Sequence, residues 1–427
     1  MSTSIPRAQD RQRSIYLGGA AGEKPRIPVD PAALREAARK VMRPEAFAYV
    51  DGGAGLEETL RHNRSGFDRW RIVPRMLRDV SSRDTSVKLL GRELPAPLLT
   101  CPIGVLDMAH READLAVARA TSRLGLPMIF SSQASVSMED CAAAMGEGPR
   151  WFQLYWSKND DLTRSLVQRA ENCGCEALVL TLDTTMLGWR MRDLDLAYLP
   201  FLRGRGIAQY VSDPVFQRLL DEPDEEEAPP RKVTLAAIRT LFEQVGRYPG
   251  RFWPNLRSGR SIRAVRTFIR IYSRPELTWQ DLARLREMTR LPIFLKGILH
   301  PEDARLAVEQ GMDGLIVSNH GGRQVDGALS AIAALPEIAR SVAGRLPVLM
   351  DSGIRSGADV FKALALGADA VCVGRPYVYA LALAGEAGVH ELLLNLMADF
   401  ELTMGLAGCR HRGEIKQETL TTLNRDH

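Results

Sequence analysis

The chain is 427 residues long, too many for one small domain and suited to a large barrel or to two or three modest domains. With 45% hydrophobic and 25% charged residues and a formal charge of +4, the composition excludes a mainly disordered, collagen-like or coiled-coil protein and gives no basis for general nucleic-acid binding. Six cysteines make no disulfide scaffold, and the close pair Cys173 and Cys175 lacks the second pair of a zinc site, so reduced thiols, a cytoplasmic setting and no metal are expected.

The opening MSTSIPRAQDRQRS lacks the apolar stretch of a secretory signal, and no run approaches the ~20 apolar residues of a membrane span. Residues 1–95 carry helical patterns such as DPAALREAARKVM and are expected to pack on a barrel's bottom or mouth. From residue 96 onward, short apolar runs recur at 97–105, 127–132, 150–156, 177–183, 292–298, 314–320, 347–353 and 370–375. Unbroken apolarity, rather than alternation, marks strands covered on both faces. The segments between them, such as PEDARLAVEQG and SGADVFKALALG, have apolar residues at helical spacing and end in Gly, a common helix stop. Eight such units over 96–427 predict a (β/α)8 TIM barrel. A doubly wound sheet is the alternative, but no strand is followed by G-x-G-x-x-G.

The rhythm breaks after the fourth strand, where 197–276 reads as a lid insertion on the catalytic face. Within it, 221–232 is acidic and proline-containing and is expected to be disordered. Downstream, 260–274 predicts an amphipathic helix with Ile262, Val265, Phe268, Ile269 and Tyr272 on one face and Arg263, Arg266, Arg270 and Arg274 on the other. Such a helix either packs on the barrel or makes a weak membrane-surface contact.

Polar residues at strand C-termini point into a barrel's mouth. Those ends supply Gln153, Tyr155, Thr181, Asp183, Lys296, Ser318, His320 and Asp351, with Arg190, Arg323, Arg355 and Arg375 just beyond. His320 is the candidate general base, since imidazole titrates near neutral pH, and Asp183 either steadies its imidazolium or caps a helix. Gly321 and Gly322 allow close backbone approach, and Arg323 offers a bidentate carboxylate clamp. The loops after strands seven and eight, holding Asp351, Gly353 and Arg355 and then Gly374 and Arg375, suit a phosphate dianion. Lys296 fits a Schiff base, a phosphate contact or a fixed charge beside a cofactor ring, and sequence does not choose among them.

These blocks carry a resemblance. SNHGGRQVDGALSAIAALPEI resembles the signature of the FMN-dependent 2-hydroxy acid oxidase/dehydrogenase family, and PIG, FQLY, TLDTTMLGWRMRD, LKGI, DSGIRSGADVFKALALGA and VGRPY resemble its other blocks in order. GWRMRD and YLPFLRGRGIAQYVSDPVFQ look closest to the lactate 2-monooxygenase subgroup. The resemblance implies FMN, with Lys296 against the N1/O2 edge of the flavin ring. Gln153, Ser131 and Thr181 would lie on the ring's polar edge, with Pro102, Ile103 and Gly104 along it. Asp351, Gly353, Arg355, Gly374 and Arg375 would hold the ribityl phosphate, and Tyr49, Tyr155, Arg190 and Arg323 the substrate. It implies oxidation of a small (S)-2-hydroxy acid such as lactate, with O2 or another electron acceptor, by a homo-oligomer (tetramer or octamer). The outcome would be oxidative decarboxylation, a simple oxidase releasing H2O2, or a quinone-coupled dehydrogenase. A phosphate-binding barrel without redox chemistry, with Lys296 as Schiff base, is the rival class. Gly104 stands where oxidases usually carry alanine, which predicts extra room beside the ring. Gln133 stands where a large aromatic is common.

Overall fold

The computed structural model describes residues 6–222 and 234–422. Eight parallel strands close into one barrel: β1 (Leu98–Thr100), β2 (Met128–Phe130), β3 (Arg150–Leu154), β4 (Leu178–Thr181), β5 (Ile293–Ile298), β6 (Gly314–Val317), β7 (Val348–Met350) and β8 (Ala370–Val373). β8 pairs with β1 to shut the cylinder, so the TIM barrel expected from the apolar runs is the fold observed.

Successive strand side chains point to opposite faces, so a period of two selects the interior. Leu99, Ile129, Trp151, Val179, Phe294, Ile316, Leu349 and Cys372, one from each strand, lie in a single buried cluster. The Trp151 and Phe294 rings sit 4.8 Å apart in it, and a Cβ on Gly314 would clash with the Phe294 ring. A hairpin (Val87–Leu89 with Arg92–Leu94) adds Val87, Leu89 and Leu94 to the same cluster and closes the end where the strands begin. Two residues further along each strand comes the next inward tier: Cys101, Ser131, Gln153, Thr181, Lys296, Ser318, Asp351 and Gly374. All but Gly374 are buried. The barrel's own periodicity therefore places polar chemistry at the mouth.

The N-terminal segment forms α1 (Ala8–Ala20), α2 (Pro31–Val41), α3 (Pro44–Asp51) and α4 (Glu58–Ser65). Asp30 caps α2 by accepting from the Ala33 amide at 2.6 Å, with Pro31 in the first helical position. Leu34, Ala38, Met42 and Phe47 pack against Tyr379 and Ala380 of the final helix. That helix, Arg375–Leu406, is long and apolar enough to cross a membrane by length and composition, which the sequence reading did not anticipate. It breaks at Ala384 and Gly385, and half of its apolar window is buried in the fold. Trp70–Ile72 pairs antiparallel with Leu420–Thr422, joining the segment ahead of the barrel to the end of the described chain.

The insertion after β4 holds short helical turns and three longer helices, Leu235–Arg247, Phe252–Ser258 and Arg260–Ile271. Most of the acidic stretch expected to be disordered lies outside the described residues. The helix expected within 260–274 is present, but its buried face differs. Ser261, Ala264, Val265, Phe268 and Ile271 are buried, whereas Ile269 is exposed and Ile262 only half-buried. The small Ser261 and Ala264 let this helix approach closely, so that Phe268 packs 5.3 Å from Phe201 and 4.8 Å from Tyr210. Arg263 donates to the Leu220 carbonyl, and Arg274 to Asp160, both at 2.6 Å.

Candidate active site

The chain leaves β6 through Ser318 and Asn319 and turns sharply at His320, whose φ of 57° is left-handed. That turn brings His320 Nδ1 to 2.8 Å from Asp183 Oδ1 beyond the end of β4, and to 3.1 Å from Thr184 Oγ1. With its Nδ1 proton facing the carboxylate, the imidazole keeps Nε2 free as a base. Burial lowers the His320 pKa below its ordinary 6.5 and outweighs the Asp183 charge, so the ring is neutral at pH 7. Burial works against charge on Asp183 too, yet His320 and Lys296 hold its carboxyl well below the usual range.

Lys296 Nζ donates to Ser318 Oγ at 2.9 Å and lies 3.3 Å from Asp351 and 3.9 Å from Asp183. Burial disfavours its charge, but the two carboxylates outweigh it and push the pKa up. A Schiff-base lysine must be readily deprotonated. Lys296 is instead a fixed cation, which resolves the choice the sequence left open. Burial, helped by Asp183, pushes Tyr155 up to about 12, so its hydroxyl stays protonated and can donate.

Four guanidiniums converge on the same mouth. Arg323 stands 4.9 Å and Arg190 6.0 Å from the centre of the Tyr49 ring. Arg323 donates to the Tyr49 and Gly52 carbonyls, and Arg190 to the Arg323 carbonyl and the Gln324 side chain. Arg375 donates to the carbonyls of Val50, Gly321 and Gly52 at 2.8–2.9 Å, and Arg355 to that of Ile354 at 2.8 Å. Among the described residues none of the four forms an ion pair. Burial, with Arg190 adding repulsion, pulls Arg323 down to about 9, and burial pulls Arg355 down to about 10. Buried cations with no carboxylate in direct contact are costly unless an anion completes the site.

One cavity joins these groups. It is lined by Tyr49, Pro102, Ile103, Gly104, Ser131, Tyr155, Arg190, Lys296, His320, Arg323, Asp351, Gly353, Arg355, Gly374 and Arg375. Gln153, Thr181, Ser318 and Asp183 do not line the open space, but each adjoins a residue that does. Gln153 Oε1 accepts from Ser131 Oγ at 3.3 Å, Ser318 holds Lys296, Asp183 holds His320, and Thr181 pairs in register with Lys296. Gln153 Nε2 and Thr181 Oγ1 are buried with no hydrogen-bond partner. Buried orphans of this kind call for a bound polar group. Orphaned donors, a fixed cation and unpaired arginines fit FMN.

One expectation needs correction. The space beside Gly104 is not free: a Cβ there would lie 2.6 Å from the Gln133 carbonyl oxygen and 2.8 Å from Gln133 Cβ. The main chain of Gln133, whose carbonyl accepts from the Val105 amide at 2.9 Å, fills it. Asp351 lines the same cavity; its carboxylate lies 3.3 Å from Lys296 and accepts from Ser352 Oγ at 2.6 Å.

Sequence reasoning missed Thr184, Gln324, Leu187, Phe201 and Tyr272. Thr184 donates to Asp183 Oδ1 at 2.9 Å, and Gln324 Nε2 donates to the Asp183 and Met186 carbonyls while its Oε1 braces Arg190. Both adjoin residues already singled out, which was the only signal for them. Leu187, Phe201 and Tyr272 wall the cavity from the segment after β4.

A barrel mouth with a neutral base, a fixed lysine cation and unpaired arginines defines a flavin-dependent oxidoreductase site. The family model for FMN-dependent dehydrogenases matches residues 38–422, and the chain belongs to that family. It is 42% identical over 382 residues to an L-lactate oxidase of Lysinibacillus sphaericus, covering 90% of each chain. It is 40% identical to an FMN-dependent alpha-hydroxy acid dehydrogenase of Penicillium citrinum, over 97% of this chain and 96% of that one. A solved structure of mandelate oxidase superposes with a TM-score of 0.73 at 38% identity, over 93% of this chain and 98% of that one. The enzyme uses FMN and is of the 2-hydroxy acid oxidase and dehydrogenase class, which removes the non-redox barrel as an alternative.

Proposed function

We propose that the enzyme oxidises a small (S)-2-hydroxy acid, lactate first, with O2 as acceptor. The supporting observation is that His320, Arg190 and Arg323 line one cavity, the two guanidiniums with no carboxylate in direct contact. The guanidiniums grip the substrate carboxylate and so fix the α-carbon, while the Tyr155 hydroxyl donates to a substrate oxygen. His320 Nε2 takes the proton, and Asp183 stabilises the imidazolium that forms. FMN bound there would supply the two-electron redox chemistry that links oxidation of the α-carbon to the acceptor. Arg355 and Arg375, with the backbone at Gly353 and Gly374, would hold its phosphate, Lys296 would offset negative charge on its ring, and Gln153 and Thr181 would face the ring's polar edge. Phe201, Leu187, Tyr272 and Gln133 narrow the cavity and favour a short side chain.

The finer reading is oxidative decarboxylation, lactate and O2 giving acetate, CO2 and water. It requires pyruvate to remain bound while hydrogen peroxide is present. The insertion's roof of Phe201 and Tyr272 and the arginine grip on a carboxylate favour retention. Quantifying carbon products from lactate in air tests this. Acetate without free peroxide supports the reading, stoichiometric pyruvate and H2O2 marks a simple oxidase, and turnover only with a quinone or dye marks a dehydrogenase.

We also propose a weak contact between the insertion and anionic lipid. Residues 234–274 hold nine arginines and one glutamate, and Leu235, Phe242, Trp253 and Ile269 are exposed among them. Basic charge beside exposed apolar side chains favours an anionic interface. Sedimentation with anionic vesicles at low salt tests it, and absence of binding ends the idea.

A further inference from the structure

The mouth holds a buried amide pair that the chemistry above does not use. Asn63, in α4, and Asn319, next to the base, are 3% and 5% exposed. Asn63 Nδ2 donates to Asn319 Oδ1 at 2.8 Å, and Asn319 Nδ2 returns the bond to Asn63 Oδ1 at 2.7 Å. Three further bonds reach backbone: Asn319 Oδ1 accepts from Gly322 N at 3.0 Å, Asn319 Nδ2 donates to the Leu329 carbonyl at 3.0 Å, and Asn63 Oδ1 accepts from Ala331 N at 3.3 Å. The pair therefore ties α4 to both sides of the loop that carries His320.

That loop needs holding. His320 is a non-glycine residue at φ 57°, a conformation that costs free energy unless surrounding contacts enforce it. The bonds from Asn319 to Gly322 N and to Asn63 span the strained residue. On its other side, α4 abuts the loop after β7: a Cβ on Gly353 would strike the Asn63 carbonyl, and Arg64 donates to the Gly353 carbonyl and to Asp359 Oδ2. One helix outside the barrel thus sets the backbone of the base loop and of the loop carrying Gly353 and Arg355.

We propose that Asn63 is a positioning residue for the base: its reciprocal amide pair with Asn319 holds the His320 turn so that the imidazole meets Asp183. The proposal rests on His320 acting as the base. Asn63 touches no reacting atom, so its removal should spare the arginine grip and harm proton transfer.

The test is Asn63→Ala, with Asn319→Asp as the near-isosteric second variant that keeps an oxygen for Gly322 N but loses the donor to Asn63. Anaerobic reduction by L-lactate is measured per bound flavin, alongside spectral titration with oxalate as a probe of the arginine pair and thermal unfolding. A displaced base should lower the limiting reduction rate about 10- to 100-fold, with the oxalate Kd changed less than about threefold. An unchanged limiting rate in the FMN-loaded fraction of either variant overturns the proposal, whatever happens to the melting temperature. A parallel loss of rate and oxalate binding also overturns it, since that marks general disorder of the mouth. His320→Ala separates the two layers. If it keeps the wild-type rate, the base assignment fails; if it loses the rate while both asparagine variants keep it, only the positioning role fails.

Discussion

His320 Nδ1 and Asp183 Oδ1 stand 2.8 Å apart, and neither belongs to the regular part of its strand. Each comes from the loop just past a barrel strand, so the contact forms only when β4 and β6 lie two positions apart around the cylinder. Burial depresses the His320 pKa while Asp183 raises it. The acid limb of the rate profile is therefore expected below pH 6.5 in the intact enzyme, because protonation of the depressed imidazole switches the base off only there. Asp183→Asn removes the group that raises this pKa. The limb should then move to still lower pH, and the reduction rate should fall by roughly 10²–10⁴ because the imidazolium loses its counter-charge. Anaerobic stopped-flow across the acidic range measures both effects.

Arg355→Gln tests the phosphate end. Deleting one charge-assisted donor should cost about 1.5–3 kcal/mol, roughly ten- to hundredfold in FMN affinity. Fluorescence titration of apoprotein with FMN reads this directly. Wild-type apoprotein should regain about 2.7 kcal/mol of stability at FMN concentrations near 100 times Kd.

At Gly104 the sequence suggested vacant space, and the structure replaces that with a packing constraint. Gln133 is held between Gly104 and Gly206, where a Cβ would sit 3.0 Å from the Gln133 carbonyl oxygen. Gly104→Ala is expected to displace the Gln133 main chain and the insertion resting on it, at about 1–3 kcal/mol of stability. Denaturant unfolding of the flavin-loaded protein checks this, and a neutral substitution would mean the loop yields freely.

Asp114 gives a stability prediction away from the reacting groups. Its carboxylate, 1% exposed, accepts from the Ser135 amide at 2.9 Å, and burial raises its pKa to about 7. A carboxyl that titrates higher when folded than when unfolded binds its proton more tightly in the native state. Stability is then lost as pH rises from the unfolded value near 4 toward 7. Asp114→Asn should melt a few degrees above wild type at mildly alkaline pH, with the gap closing toward pH 5. Melting curves over that range decide it.

Strands and their ends were legible because the barrel covers both faces of each strand, leaving unbroken apolar runs whose first polar residues are the mouth. His320, Lys296 and Asp351 follow from that rule alone. The buried face of Arg260–Ile271 was not legible, since it rests on Ser261 and Ala264, chosen for close approach rather than hydrophobicity. Asn63 was invisible for another reason. An asparagine inside a helical pattern looks like any solvated residue, and its partner lies 256 positions away. Tyr272 and Phe201 depend on how the insertion folds back, which local periodicity does not encode.

Tyr49, whose ring underlies both substrate-facing guanidiniums, and the Val50 and Gly52 carbonyls that orient Arg323 and Arg375 all come from chain ahead of the first barrel strand. An eight-stranded cylinder begun at Ala96 would keep its lysine and imidazole but lose the platform that aims its cations. The leading segment is thus part of the mouth's architecture, and it is laced to the tail through the pairing of Trp70–Ile72 with Leu420–Thr422.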